Sequence, residues 1–242
     1  MQLCLKTPRQ SECAEPQPLT LGSLELTVDA SGALFIQDAR TLIVADLHLE
    51  KGSSFARRGQ MLPPYDTRAT LMRLEAVLAA RDTRTVIALG DSFHDEDGAG
   101  RLPAEDARLL GWLQRGRTWV WISGNHDPKA DARCGGEAAD SLMLGGVTLR
   151  HEPDAASSAF EIAGHLHPVA RLMWKATSVR ARCFASDVSR VVLPAFGAYA
   201  GGLNVLDAAF VAVFPTGPAR IDMIGRAGVY SVPPGALVGD RG

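Results

Sequence analysis

The chain has six histidines, His48, His94, His126, His151, His165 and His167, and their neighbours suggest a common task. In chain order stand Asp46-x-His48, Gly90-Asp91, Gly124-Asn125-His126-Asp127, His151, and Gly164-His165-x-His167. A lone histidine is more often a packed or solvated side chain, but an ordered series interleaved with Asp and Asn reads as a set of metal donors. In an extended segment residues i and i+2 point to the same side, so Asp46 with His48, and His165 with His167, each offer two ligands on one face. Carboxylate, imidazole and amide oxygen make a mixed oxygen and nitrogen set that suits Mn²⁺, Fe or Zn²⁺ and needs no thiolate. Gly90, Gly124 and Gly164 directly precede members of the series, where tight turns or close backbone approach are expected.

The elements around these residues follow an α/β rhythm. A hairpin over LELTV and ALFI, turning at Asp29-Ala30-Ser31-Gly32, feeds an apolar strand from Thr41 to Ala45. Leu71, Leu74 and Leu78 mark a helix over Pro64 to Arg81, and a strand from Thr85 to Leu89 follows. A second helix is expected from Pro103 to Arg115, then a strand from Thr118 to Ser123. The histidines thus fall where strands give way to loops, the place where ligand sites of open α/β sheets collect. The second half reads as short strands over Ser141 to Leu144, Val147 to His151, Phe160 to Ala163, Val179 to Ala185, Arg190 to Leu193 and Phe210 to Phe214. These form a second sheet packed on the first, in one domain over residues 21–242 behind a polar, aperiodic leader at residues 1–20.

Composition narrows the function classes. Of the 242 residues 46% are hydrophobic and 21% charged, which excludes a disordered or fibrous chain. A formal net charge of -2 argues against a protein that coats long nucleic acid, although a contact at a metal site remains open. The four cysteines are scattered without a C-x-x-C pair, and the first twenty residues lack the apolar stretch of a secretory signal, so a reduced cytoplasmic protein is expected. The apolar stretch Val191 to Phe214 contains Pro194, Asn204 and Asp207, which suits buried strands and turns better than a membrane span. Phosphate-binding loops of the G-x-x-x-x-G-K-[ST] type, G-x-S-x-G elbows and dinucleotide fingerprints are absent.

From Thr41 to Pro168 the order of the motifs resembles the calcineurin-like metallophosphoesterase superfamily. The resemblance implies an αββα sandwich of two sheets flanked by helices and a pair of divalent ions. Asp46, His48 and His167 would hold one ion, Asn125, His151 and His165 the other, and Asp91 would bridge both. His126 would not bind metal but would stand over the phosphate as general acid or transition-state stabiliser, oriented by Asp127. The runs ADLHLEKGSSFARRG, LGDSFHD, GNHDP, LRHEP, AGHLHP and LPAFGAYAGGLNVLD are similar to the bacterial ligase-associated DNA damage response endonucleases. That similarity implies a manganese-dependent phosphodiesterase, with Fe or Zn as other metals, acting on single-stranded DNA and encoded beside other repair enzymes. One block departs from the superfamily pattern: where Gly-Asp-x-x-Asp is usual, Gly90-Asp91-Ser92-Phe93 is followed by His94. His94 would touch substrate phosphate, orient a ligand, or fill the place of the missing carboxylate. Lys51, Ser53, Arg57, Arg58 and Tyr199 are weaker candidates for substrate contact, each more simply a solvated loop residue or a core aromatic. Two rivals share the fold: a phosphomonoesterase or nucleotide phosphatase with the same metals, and a non-catalytic scaffold.

Overall fold

The computed structural model describes residues 17–128, 132–174 and 177–240. Strands β1 (Gln17–Leu21), β2 (Leu24–Val28), β3 (Leu34–Ile36) and β4 (Thr41–Ala45) form an antiparallel meander. Helices α1 (Lys51–Arg57) and α2 (Asp66–Ala80) lead to β5 (Thr85–Leu89), and α3 (Gly98–Arg101) and α4 (Ala104–Gln114) lead to β6 (Thr118–Ile122) and β7 (Glu137–Ala139). β4 to β7 run parallel and complete a seven-stranded sheet in chain order. The second sheet holds β8 (Leu142–Leu144), β9 (Val147–Leu149), β10 (Glu161–Ala163), β11 (Pro168–Trp174), β12 (Thr177–Ser186), β13 (Arg190–Val192), β14 (Leu203–Asn204), β15 (Arg220–Ile224) and β16 (Val229–Val232). Its order is β14-β11-β12-β13-β10-β9-β8, with β15 on β12 and β16 on β15. Helix α5 (Ala208–Val213) lies between β14 and β15 in sequence.

The alternation of side chains along the parallel strands divides the core into layers. Ile43, Ala45, Ile87, Leu89 and Ile122 face the second sheet and pack with Leu149, Ile162, Phe184, Val191 and Leu193. Leu42, Val44, Val86, Ala88, Trp119 and Trp121 face the other way, onto Leu71, Leu74 and Leu78 of α2 and Leu110 and Leu113 of α4. Phe210 and Val213 of α5, with Phe214, cover the outer face of the second sheet at Ala170, Cys183 and Ala185. Helix, sheet, sheet and helix are therefore stacked as an αββα sandwich. Among the described residues no helix is long and apolar enough to cross a membrane.

Three expectations change. Phe210 to Phe214 is not a strand: Ala208–Val213 is helical, and Asp207 starts it by accepting a hydrogen bond from Ala209 N at 3.0 Å. A short apolar run does not distinguish helix from strand by periodicity, and the capping aspartate was the available signal. Residues 17–20, placed in the leader, belong to β1 and pair with β2, while residues 1–16 lie outside the described residues. Helices α1 and α3 and strands β7, β11, β14, β15 and β16 were not foreseen. Phe184, wholly buried between the sheets, tests this packing. Phe184→Ala should lower the unfolding free energy in a urea titration by about 3–5 kcal/mol, whereas Val188→Ala, at a position 86% exposed, should shift it by less than about 0.5 kcal/mol.

Candidate metal centre

The parallel strands end flush, because Ala45 pairs with Leu89, Leu89 with Ile122, and Ile122 with Ala139. The residues just past those ends therefore emerge side by side. The zipper continues into the loops through His48 N to Asp91 O, Leu49 N to Ser92 O and His94 N to Leu49 O, each 2.9 Å. Here the backbone turns left-handed. Apart from Arg40, the non-glycine residues with positive φ among those described are Asp46, His48, Glu50, Asp91, His165 and His167. Each such residue costs on the order of 1 kcal/mol or more, and such strain collects at functional sites. Asp46 and His48 thus do not share a face through an extended strand, as the spacing suggested. They alternate with Leu47 and Leu49, which are buried in the helix-side core, by a left-handed path at φ 54° and 44°.

Two groups of donors result. Asp46, His48 and His167 form the first, with His48 Nε2 3.2 Å from His167 Nε2 and His167 Nε2 3.3 Å from Asp46 Oδ1. Asp46, Asp91 and His151 form the second, and Asn125 and His165 join it: Asn125 Oδ1 lies 2.8 Å from His151 Nε2 and 3.0 Å from His165 Nδ1. His165 and His167, paired by spacing, go to different groups. Asp91 stands between them, with Oδ1 3.5 Å from His151 Nε2 and Oδ2 3.9 Å from both His48 Nε2 and His126 Nε2. Every metal ligand expected from the sequence is therefore in this one cluster.

The chemistry of the donors fits divalent cations. Asp46 and Asp91 are 0% and 2% exposed, and among the described residues neither forms an ion pair with lysine or arginine. Buried carboxylates need a counter-charge, and their partners among the described residues are imidazoles and the backbone N–H groups of His165 and His126, none of them a fixed cation. His151 Nδ1 donates to Leu89 O at 2.9 Å, which turns Nε2 toward Asn125 Oδ1 at 2.8 Å, so the two atoms stand side by side where one cation could take both. Burial, then the nearby rings of His167, His94 and His126, push the pKa of His48 down to about 2, keeping it neutral as a ligand must be. Burial opposes charge on His167 too, but the bond to Asp46 and the fields of Asp46 and Asp91 raise its pKa, so the site attracts positive charge. The two described cysteines, Cys134 and Cys183, are buried in the cores away from this cluster.

Among the described residues the Asp127 carboxylate makes no hydrogen bond to the His126 ring: its Oδ2 accepts from Phe93 N at 3.0 Å, and burial pushes its pKa up to about 7. The ring of His126 is held instead by His94, whose carbonyl accepts from Nδ1 at 3.1 Å and whose own ring stacks on it at 5.2 Å. His94 also brings Nδ1 to 3.5 Å from His48 Nδ1, so it buttresses a ligand and the ring of His126 together. Of the weaker candidates, Arg57 pairs with Asp97 at 2.9 Å, Ser53 donates to Glu50 O at 3.0 Å and Lys51 donates to Tyr199 O at 3.1 Å. Sequence reasoning missed Glu50, which is buried with φ 63° and pinned to α2 by Thr67, whose hydroxyl donates to Oε1 at 2.9 Å. It missed Arg101 as well, whose fork on Asp95, 2.8 Å on both arms, fastens the loop that carries His94. Neither contact has a spacing that a sequence motif would reveal.

A family model for calcineurin-like phosphoesterases matches residues 39–170. The chain belongs to that family. It is a metal-dependent phosphoesterase, and the donor groups above lie within the matched residues. Among solved structures, a nuclease of Pseudomonas putida, MPE, is 30% identical over 90% of this chain and 100% of its own, with a TM-score of 0.69. A protein of unknown function from Aquifex aeolicus, AQ665, is 18% identical over 52% of this chain and 78% of its own, with a TM-score of 0.38, too loose a likeness to bear on function. No curated protein matches the sequence.

Glycine is required where the phosphoesterase loops press on the donors. A Cβ on Gly90, at φ 70°, would lie 2.4 Å from the ring of His151, and one on Gly124 would lie 2.1 Å from Asp91 N. Gly90→Ala should therefore displace His151 and reduce the manganese retained after loading and desalting, as measured by elemental analysis, while circular dichroism remains that of the wild type. Asp91→Ala should reduce it further, because both groups lose the carboxylate between them.

Proposed function

We propose that this phosphoesterase is a manganese-dependent endonuclease that cuts single-stranded DNA. The observation that carries the reading is the donor cluster itself: two buried carboxylates without a lysine or arginine partner among the described residues and four imidazoles at the strand ends, in a chain similar over 90% of its length to a nuclease. Asp46, His48 and His167 would hold one ion and Asn125, His151 and His165 the other, with Asp91 shared. When bound, such a pair supplies an acidified water nucleophile and neutralises charge developing on the phosphoryl oxygens. Bound cations also provide the attraction for a phosphodiester that the net charge of -2 does not.

The protein's own groups do the rest. Because the Nδ1–H of His126 is held by the His94 carbonyl, a proton taken up on Nε2 is the mobile one. Nε2 is then the atom that delivers it to the leaving alkoxide. His94, by its stacking and its carbonyl, positions His126 and lines the substrate side of the centre. Asp127, tied to Phe93 N, supports the loop that presents His126 and Asn125. We further infer that residues 21–242, with β1 added to their start, act as one domain, and that the enzyme works on DNA in the cytoplasm alongside other repair enzymes.

Incubation of closed circular single-stranded DNA with the purified protein tests the reading, since a circle offers no ends. Linearisation that requires Mn²⁺, stops with EDTA and is absent in Asp91→Ala is expected. An intact circle with rapid hydrolysis of p-nitrophenyl phosphate would instead identify a phosphomonoesterase. His126→Ala should keep its manganese yet lower kcat by about a hundredfold or more, which separates the proton donor from the ligands.

A further inference from the structure

The cations along the α1 side of the centre fall into two kinds. Arg57 is neutralised by Asp97 at 2.9 Å and Arg101 by Asp95. Arg58 shares a pocket of about 420 Å³ with Asp95, Glu96 and Asp97, where carboxylates balance the guanidiniums. Lys51 differs. No carboxylate among the described residues pairs with it, and the nearby Asp66 spends Oδ2 on Gly52 N at 3.1 Å. The ammonium donates to the backbone oxygen of Tyr199 at 3.1 Å and stands 5.8 Å from the centroid of the Phe55 ring. One of its three protons is thus used, and no other hydrogen bond of the ammonium is formed among the described residues. From Phe55 the path leads straight to the metal centre. Its ring lies 5.5 Å from that of His94, which in turn lies 5.4 Å from His48 and 5.2 Å from His126. The charge of Lys51 is felt at His48, His94 and His167.

We propose that Lys51 and Phe55 form a subsite for the nucleotide adjoining the bond that is cut, with the Lys51 ammonium binding that nucleotide's phosphate and the Phe55 ring meeting its base. The proposal rests on the endonuclease reading and deepens it. A lysine ammonium acts as a compact point charge for a phosphate oxygen, and an aromatic ring beside it takes any base by its face. Because a base inside a duplex is already stacked on its neighbours, this subsite favours unpaired DNA.

Oligonucleotides carrying one neutral methylphosphonate linkage on either side of a cut site test the phosphate contact. One placement should slow wild-type cutting at that site by about tenfold, the worth of a charge-assisted hydrogen bond. In Lys51→Met the same placement should cost less than about twofold, and Lys51→Arg should recover most of the wild-type sensitivity. Equal sensitivity in wild type and Lys51→Met would overturn the proposal, as would a wild type indifferent to both placements. Phe55→Ala should raise KM for the oligonucleotide more than for bis-p-nitrophenyl phosphate, which has no adjoining nucleotide, and an equal loss on both would remove the base contact. Manganese content separates these outcomes from damage to the centre: a Lys51→Met protein that has lost metal would make Lys51 a support of the cluster and refute the subsite. A wild type that hydrolyses the ester but cuts no oligonucleotide would refute the endonuclease reading itself, and the subsite with it.

Discussion

Two carboxylates, Asp46 and Asp91, are buried at the ends of adjacent strands with no arginine or lysine among the described residues to neutralise them. In an apolar interior an isolated carboxylate is among the most costly groups to bury. The fold nonetheless brings both to the same place and rings them with histidines whose ring nitrogens point inward. A protein that needed only stability would not collect acceptors in this way. The arrangement makes sense as one half of an ionic structure whose other half is a pair of divalent cations, and metal binding then contributes to the stability of the folded chain.

The rest of the molecule supplies the geometry of that half. Flush strand ends bring Asp46, Asp91 and the Gly124 loop into line, and the second sheet brings His151 and His165 against them from the other layer. Left-handed backbone at six non-glycine residues is the local cost of turning so many side chains inward within a few residues of the strands. Glycines fill the places where a Cβ would strike a donor. Around this rigid set, Arg101, Glu50 and Arg73 tie the loops to the helical layer through Asp95, Thr67 and the Phe196 carbonyl. The separate loops that carry His94 and His126 meet where the His94 carbonyl accepts from His126 Nδ1.

What could be read from the sequence follows from how locally each feature is encoded. β4 and β5 were placed to the residue, since buried apolar runs that end at Asp or Gly-Asp have sharp boundaries. The cluster of donors was legible because histidine is rare in this chain and the motifs keep their order; their division between two ions came only as what the resemblance to metallophosphoesterases implies. Contacts made by the backbone were not legible. The carbonyl of His94 that fixes His126 has no residue signature. Helix α1 escaped notice because it starts at Glu50 in a left-handed conformation without a side-chain cap, and α5 because an apolar hexamer carries too few turns for its period to show.

The central claim is that Asp91 couples two cations in one cluster. Titration of the metal-free protein with Mn²⁺, followed by electron paramagnetic resonance, tests it most directly. Two manganese ions per chain with the exchange-coupled spectrum of a bridged pair are expected, and the coupling should be lost in Asp91→Ala. A single bound ion, or two ions with the spectrum of isolated Mn²⁺ in the wild type, would contradict it.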